Sequence, residues 1–481
     1  MSVEDRNAPS DIFRVEWERW RQLSREEKQR MYAAGPIVIP SGREEKAMTL
    51  EALREIGDLD CKYTVHPASL LHMDQPHAAA SLKQLWDETR RNDGAIMNAL
   101  ALPPVTSDLG IRDLQSDEFA VRQIHGPETA ISASCIPTWA TNWTICATSD
   151  AYHEFHVDTQ GVGTCVQVQD GVKIWVIWCL KNQQYTKDIS DLLQLFEEQS
   201  HWSDAGVSKL KSAEWQPVVL VLRTGDLLIM PPNVPHFVVT SEDSVAYGLH
   251  FYSTSTIRQS CIGICCTLVR GRYITNNYHI EMNKLLVSLL GYWLRQFLSG
   301  EYFDRERGGH LVDVTNIHGL NDLIIVLNVM DLGSLLWIPR YFQPLTPEAQ
   351  KLELLQFKYA AQTFHWVYLE LLIKDSEGKA VDLIQYRKAR LRDLVSEILS
   401  ELKTAKGGKD VTFSHFKKGL TEDFVLEPHF LTEVLEGADF DSISTPQSEI
   451  QSWVVERDAS DRNKKLQEFV EKEPKLAQFL P

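Results

Sequence analysis

Between Trp143 and Tyr252 the chain runs through a succession of β-branched and aromatic segments, and this stretch limits its fold more than any other feature. "WTICAT", "GTCVQVQDGVKIWVIW", "PVVLVLRTGDLLIMP" and "HFVVTSEDSVAYGLHFYS" are short apolar or alternating runs, broken by Asp-Gly, Thr-Gly-Asp and Pro-Pro. Runs of this kind, closed by turn residues, predict strands joined by tight reversals. A single sheet cannot bury its own apolar face, so the pattern predicts a sandwich or barrel. Only Ile189 to Gln199 has helical character there, and it reads as an insertion.

Outside this stretch the period is largely helical. "SREEKQRMYAAG" carries a capping box in Ser24 and Glu27 and a stop at Gly35. "PIVIP" and "MNALALPP" predict short strands, and "LKQLWDETRRN" a helix between them. Beyond residue 276, "HIEMNKLLVSLLGYWLRQFLSG" predicts one long helix ending near Gly300. "TPEAQKLELLQFKYAAQTFHWVYLELLIKD" predicts a second, with Thr346 as N-cap, Pro347 at the first helical position and a buried stripe of Leu352, Leu355, Tyr359, Val367 and Leu371. "GKAVDLIQYRKARLRDLVSEILSEL" predicts a third, "KTAKGGKD" a flexible joint, and the acidic remainder further helix. The expected fold class is α+β, in four parts: an N-terminal helical and mixed region (1–94), a β domain (95–260), a helical domain (261–405) and an acidic helical tail (406–481).

Composition removes several functional classes. With 43% apolar and 24% charged residues the 481-residue chain reads as a soluble globular protein. Its net charge of −17 opposes a broad, sequence-independent grip on nucleic-acid phosphates, though not a local basic patch, and no direct sequence-specific nucleic-acid binding is expected. The most apolar window, "LNDLIIVLNVMDLGSLLWIP", is interrupted by Asp322, Asn328 and Asp331, which predicts a buried helical pair and no membrane span. The polar opening "MSVEDRNAPS" is unlike a secretory leader, so the protein is expected not to be secreted. Eight cysteines contain no Cys-x-x-Cys pair, which excludes a zinc ribbon or PHD-type reader, and "CIGICC" reads as a reduced, buried segment.

The chemistry concentrates in "DAYHEFHVDTQG". His153 and His156 are three apart, whereas a zinc protease needs histidines four apart on one helical face. On a strand, His156 and Asp158 face one way, and Phe155 and Val157 the other. One imidazole beside one carboxylate makes two-thirds of the facial site of non-haem Fe(II) oxygenases. A third ligand is offered by His236 in "GDLLIMPPNVPHFVVT", which opens a strand and shares a face with Val238 and Thr240. Taken alone, His236 also reads as a core-edge histidine. Lys173 in "DGVKIWVIW" shares a face with Trp175 and Ile177, where an ammonium needs an anion to meet it. A dicarboxylate cosubstrate supplies one; the plainer alternative is a lysine at an exposed strand end.

His-x-Asp, a lysine seventeen residues on and a Gly-Asp/Pro-Pro/His strand pair eighty residues on follow the order of the JmjC-domain oxygenases. The stretch resembles the JmjC domain of the histone lysine demethylases that carry PHD or CXXC fingers, here without the fingers. The resemblance is strongest over residues 95–260 and extends in less detail to about residue 400. It implies a double-stranded β-helix of the cupin or jelly-roll class, with Fe(II) on His156, Asp158 and His236. It also implies 2-oxoglutarate chelating the metal with its distal carboxylate on Lys173 and with Asn98, in "MNALALPP", nearby. The implied reaction releases succinate and CO2 and hydroxylates a C–H bond, with ascorbate as the reductant in assays. Hydroxylation of an N-methyl group liberates formaldehyde. A protein substrate is implied, a histone methyl-lysine tail first among them, together with a nuclear setting or otherwise a cytoplasmic one.

Three positions depart from the family. His153 stands where a threonine helps hold the cosubstrate, Val166 replaces a tyrosine, and His250 replaces an asparagine. The two histidines either rebuild the cosubstrate site or mark one that no longer turns over. Trp139, Trp143 and Tyr152 are candidates for a methyl-ammonium cage or for core. Beside the demethylase stand a protein or small-molecule hydroxylase of the same chemistry and a catalytically weak scaffold whose C-terminal helices bind partners. A metal-only cupin ranks last, because it has no use for Lys173.

Overall fold

The computed structural model of the chain describes residues 12–42, 47–67, 78–91, 94–104, 109–124, 141–180, 215–270, 282–300, 310–336, 347–405 and 453–480. They form a mixed α/β protein of two compact units. One is drawn from Met1–Ser116, Pro137–Gly263 and Gly271–Met282, the other from Asp117–Ile136, Ile264–Arg270 and Asn283–Pro481.

In the first unit the expected strands pair into two sheets. The larger runs in the order β1 (Phe13–Arg14), β2 (Ile37–Ile39), β11 (Leu227–Met230), β8 (Gly163–Asp170), β13 (Ser244–Phe251), β6 (Asn142–Ala147), β5 (Met97–Leu102), β3 (Lys62–Pro67), β4 (Ala78–Ser81). The smaller runs β10 (Trp215–Leu222), β9 (Lys173–Leu180), β12 (His236–Thr240), β7 (Tyr152–His156). Val166, Val168, Leu228 and Met230 from the larger sheet share one hydrophobic cluster with Ile177, Leu220 and Val238 from the smaller. Strand alternation explains it: Val218, Leu220 and Leu222 on β10 are buried, while the intervening Val219 and Val221 are exposed. The strands before residue 95 belong to the same sheet, since β2 pairs with β11 and β3 with β5. The division expected at residues 94 and 95 therefore runs through a hydrogen-bonded layer.

Local chemistry sets the element ends. Ser24 Oγ accepts from the Glu27 amide at 3.2 Å, while the Glu27 carboxylate accepts from the Ser24 amide at 2.8 Å. This closes the expected box at the start of the helix Arg25–Ala34, which stops at Gly35. Between β7 and β8 the chain reverses through Thr159–Gly161, with Gln160 at φ 56° and Gly161 at φ 62°. A Cβ on Gly161 would lie 2.0 Å from the Ser260 carbonyl oxygen, so the close approach there requires glycine.

The second unit is mainly helical, with helices Met282–Ser299, Ile317–Asp331, Gly333–Leu336, Pro347–Glu370 and Leu383–Ala405. In the helix Pro347–Glu370 burial deepens along the expected stripe: Leu352, Leu355 and Tyr359 are half-buried, whereas Phe364 and Val367 are fully buried. Its end departs from expectation. Leu371–Lys374 leaves the helix as a strand, β14, because Leu371 to Lys374 pair antiparallel with Arg457 to Val454 of β15 (Val454–Arg457). The next helix starts at Leu383, not near Gly378, where the Asp382 carboxylate accepts the Ile384 and Gln385 amides.

The polar residues that interrupt the apolar window have partners. Arg387 is fully buried, donates to the Asp331 carboxylate, reaches Asn328 Oδ1 at 3.4 Å and lies 4.4 Å over the Phe364 ring. Phe469, on the helix Arg462–Lys472, is fully buried beside Phe364, His365 and Tyr368. Cys261, Cys265 and Cys266 of "CIGICC" are buried thiols in the helix Ile257–Arg270. Among the described residues no helix is long and apolar enough to cross a membrane. Thr346, the insertion at 189–199 and the tail at 406–452 lie outside the described residues.

Candidate metal centre

Strand β12 lies between β7 and β9, and its first residue, His236, sits opposite His156, the last residue of β7. The two imidazole centroids are 4.2 Å apart. His156 Nδ1 is 2.6 Å from the Glu154 carbonyl oxygen and His236 Nδ1 is 2.9 Å from that of Val234. A carbonyl only accepts, so each Nδ1 holds the proton and donates it. In a neutral ring with Nδ1 so engaged, Nε2 is the nitrogen that carries the lone pair. One ligand atom each from His156, Asp158 and His236 lies within 4.8 Å of the others.

Electrostatics hold these donors in the form a metal needs. Burial, helped by neighbouring His236, lowers the His156 pKa to about 3 against the opposing pull of Asp158. For Asp158 burial acts upward, but His236, His250, His156 and the Thr164 hydroxyl together bring it down to about 2. Two imidazoles and a carboxylate make a donor set suited to a divalent transition metal. Trp175 stacks on His236 with ring centroids 5.2 Å apart and an interplanar angle of 28°.

Lys173 begins β9 opposite Thr240, and its Nζ donates to Thr240 Oγ1 at 2.9 Å. It is 4% exposed, which settles the choice between an inward lysine and an exposed strand end. Burial lowers its pKa to about 8, with Cys146 acting in the opposite sense. Among the described residues no carboxylate lies within ion-pair distance of it.

Strict alternation would turn His153 away from His156, toward the side of Phe155. A β-bulge prevents this: His156 pairs with His236 and His153 with Val238, so three steps on β7 match two on β12. His153 Nε2 lies 2.8 Å from Asn98 Nδ2, and Asn98 Oδ1 is buried without a partner among the described residues. The amide nitrogen donates, so Nε2 accepts. Burial, followed by the charges of His156, Lys173 and His236, keeps the His153 pKa well below its ordinary value.

His250 has separate partners. Trp143 Nε1 lies 3.1 Å from His250 Nε2, and Thr164 Oγ1 is 3.0 Å from His250 Nδ1. Thr164 also hydrogen-bonds Asp158 Oδ2. Nothing in the sequence singles out Thr164; its role follows only from its register opposite His250 on β8. Trp143 lies across from Gly248, where a Cβ would come within 2.2 Å of the indole ring. Tyr152 contacts Phe237, with centroids 6.0 Å apart, and Val166 is 1% exposed in the shared core. Trp143 and Tyr152 thus have packing roles, and Trp139 lies outside the described residues.

No protein-family model and no curated protein matches the chain.

Proposed function

We propose that the chain is an Fe(II)- and 2-oxoglutarate-dependent oxygenase of JmjC type. The observation that carries this reading is the convergence of His156, Asp158 and His236 beside the small sheet that also buries Lys173, with no anionic partner among the described residues. A metal-only site gives no reason to bury that ammonium; a dicarboxylate cosubstrate would supply the anion it lacks. The strand order supports a double-stranded β-helix. Strands β6 to β13 distribute over the two layers as β11-β8-β13-β6 and β10-β9-β12-β7, with a shared core.

When bound, Fe(II) and 2-oxoglutarate would supply the oxidising chemistry, with succinate and CO2 as co-products. The chain's own residues hold and orient. His156 and His236 present Nε2, their Nδ1 protons committed to backbone carbonyls. Lys173, steadied by Thr240, neutralises the distal carboxylate. His153, whose Nε2 accepts from the Asn98 amide, would keep its Nδ1 proton as the donor beside it. The leading substrate class is a protein methyl-lysine, a histone tail among them, which would place the protein in the nucleus. A second reading, hydroxylation of a protein or small-molecule carbon, is favoured by the engagement of Trp143 with His250 and of Tyr152 with Phe237, which leaves neither ring as a ready cage wall.

Anaerobic titration with Fe(II) and then 2-oxoglutarate tests the common chemistry. A weak visible charge-transfer band is expected, lost in Asp158→Ala and displaced to much higher 2-oxoglutarate in Lys173→Met. A chain that takes up Fe(II) without responding to 2-oxoglutarate would leave a metal-only protein in its place.

A further inference from the structure

We infer that Trp143, His250 and Thr164 form a hydrogen-bond chain of fixed direction that makes Asp158 a single-oxygen ligand, an inference that rests on the metal-centre reading above. Each link permits one polarity. An indole N–H only donates, so His250 Nε2 accepts from Trp143 at 3.1 Å. A neutral His250 that accepts there carries its proton on Nδ1, and it donates that proton to Thr164 Oγ1 at 3.0 Å. The Thr164 hydroxyl then directs its own proton to the ionised Asp158 Oδ2, which only accepts. The reverse order fails at both ends, since indole has no acceptor and the carboxylate has no donor.

The chain is held by rigid parts. Thr164 is 2% exposed and lies on β8 between His250 of β13 and Met230 of β11. His250 is 8% exposed, and Trp143 is seated on Gly248. With Oδ2 occupied by Thr164, Oδ1 is the oxygen that faces a metal without competition. A single-oxygen Asp158 would leave a bound metal one more open position than a two-oxygen Asp158. Trp143, His250 and Thr164 are therefore positioning residues, acting on the metal through Asp158. On this account His250 has a role in the site and is not a vestige.

The test uses the full chain. In the metal-free protein, nitrogen NMR of the His250 ring should show the Nδ1–H tautomer, and Trp143→Phe, which keeps a ring but removes the N–H, should release it to a mixture. Titration with Co(II), followed by calorimetry and visible absorption, should show Thr164→Val binding about 10- to 100-fold more weakly with a changed ligand-field band. Thr164→Ser, which keeps the hydroxyl, should restore both. An Nε2–H tautomer in the wild type, or a Thr164→Val chain that binds Co(II) with wild-type affinity and spectrum, would overturn the inference. A wild-type chain that takes no Co(II) would overturn the metal centre, and the inference with it.

Discussion

Arg387 in the helical unit and Lys173 in the sheet unit are both buried cations, and their surroundings differ in kind. Arg387 meets the Asp331 carboxylate, the Asn328 side chain and the face of Phe364. Lys173 meets a single threonine hydroxyl among the described residues. A guanidinium cannot give up its charge, so its burial has to be met by partners within the fold, here through Nε and Nη2. A lysine responds to a poor match by a lowered pKa, here about 8. A matched buried charge is architecture, whereas an unmatched one leaves a place for an anion from outside, which is what the proposed function asks of Lys173.

The contrast breaks most decisively at the proposed metal centre. Asp158→Ala and His236→Ala should each reduce Co(II) or Fe(II) uptake below detection in equilibrium dialysis while leaving the circular dichroism of the sheets in place. Full occupancy in either variant would detach the three residues from any metal, and Lys173 would lose its reason for burial.

The next largest effect lies in the helical unit. Asp331→Ala strands Arg387 in the core and should cost about 3–5 kcal/mol in urea denaturation. Replacing both partners by apolar residues of similar size should recover most of that loss. If Asp331→Ala costs less than about 1 kcal/mol, the pair is not the matched reference that the comparison needs.

How far the sequence discloses each region follows from how local its determinants are. The capping box at Ser24, the Gly-Asp turn before β11 and the pairing of His156 with Asp158 depend on neighbours a few residues away, and all are legible. The inward face of Lys173 is legible through its strand mates Trp175 and Ile177. The bulge that brings His153 to the same side as His156 leaves no mark, because the extra residue on β7 shows only against β12. Thr164 is one more β-branched residue until β13 lies beside it. Leu371–Lys374 reads as helix, since its partner strand is more than eighty residues away and periodicity carries no information on it.

Lys173→Met should act opposite to Asp331→Ala. The drop from an ordinary 10.5 to about 8 corresponds to roughly 3 kcal/mol, at about 1.4 kcal/mol for each factor of ten. Removal of the charge should therefore stabilise the cosubstrate-free chain by up to about that amount, while 2-oxoglutarate no longer raises its melting temperature. A Lys173→Met chain that unfolds more readily than the wild type would mean that Lys173, like Arg387, is a structural cation.

The smallest effect is in pH, and it belongs to Lys173. The folded pKa of Lys173 lies below the unfolded one, so between about 8 and 10.5 the unfolded chain holds a proton that the folded chain has released. Stability from this group therefore rises with pH across that window, and at neutral pH the full cost of burying the ammonium is present. The groups around it stay silent there: burial pushes the Cys146 thiol up to about 12, and His153 is neutral far below. A dicarboxylate on Lys173 favours the charged form, so binding above about pH 8 takes up a proton and weakens up to tenfold per further pH unit. Calorimetry of 2-oxoglutarate with the Co(II)-loaded chain, in buffers of different ionisation enthalpy, should show no proton exchange from Lys173 near pH 7 and uptake near pH 9. In Lys173→Met that uptake should vanish. Wild-type affinity that stays level across the same range would show that the anion binds elsewhere, and the burial of Lys173 would then need another explanation.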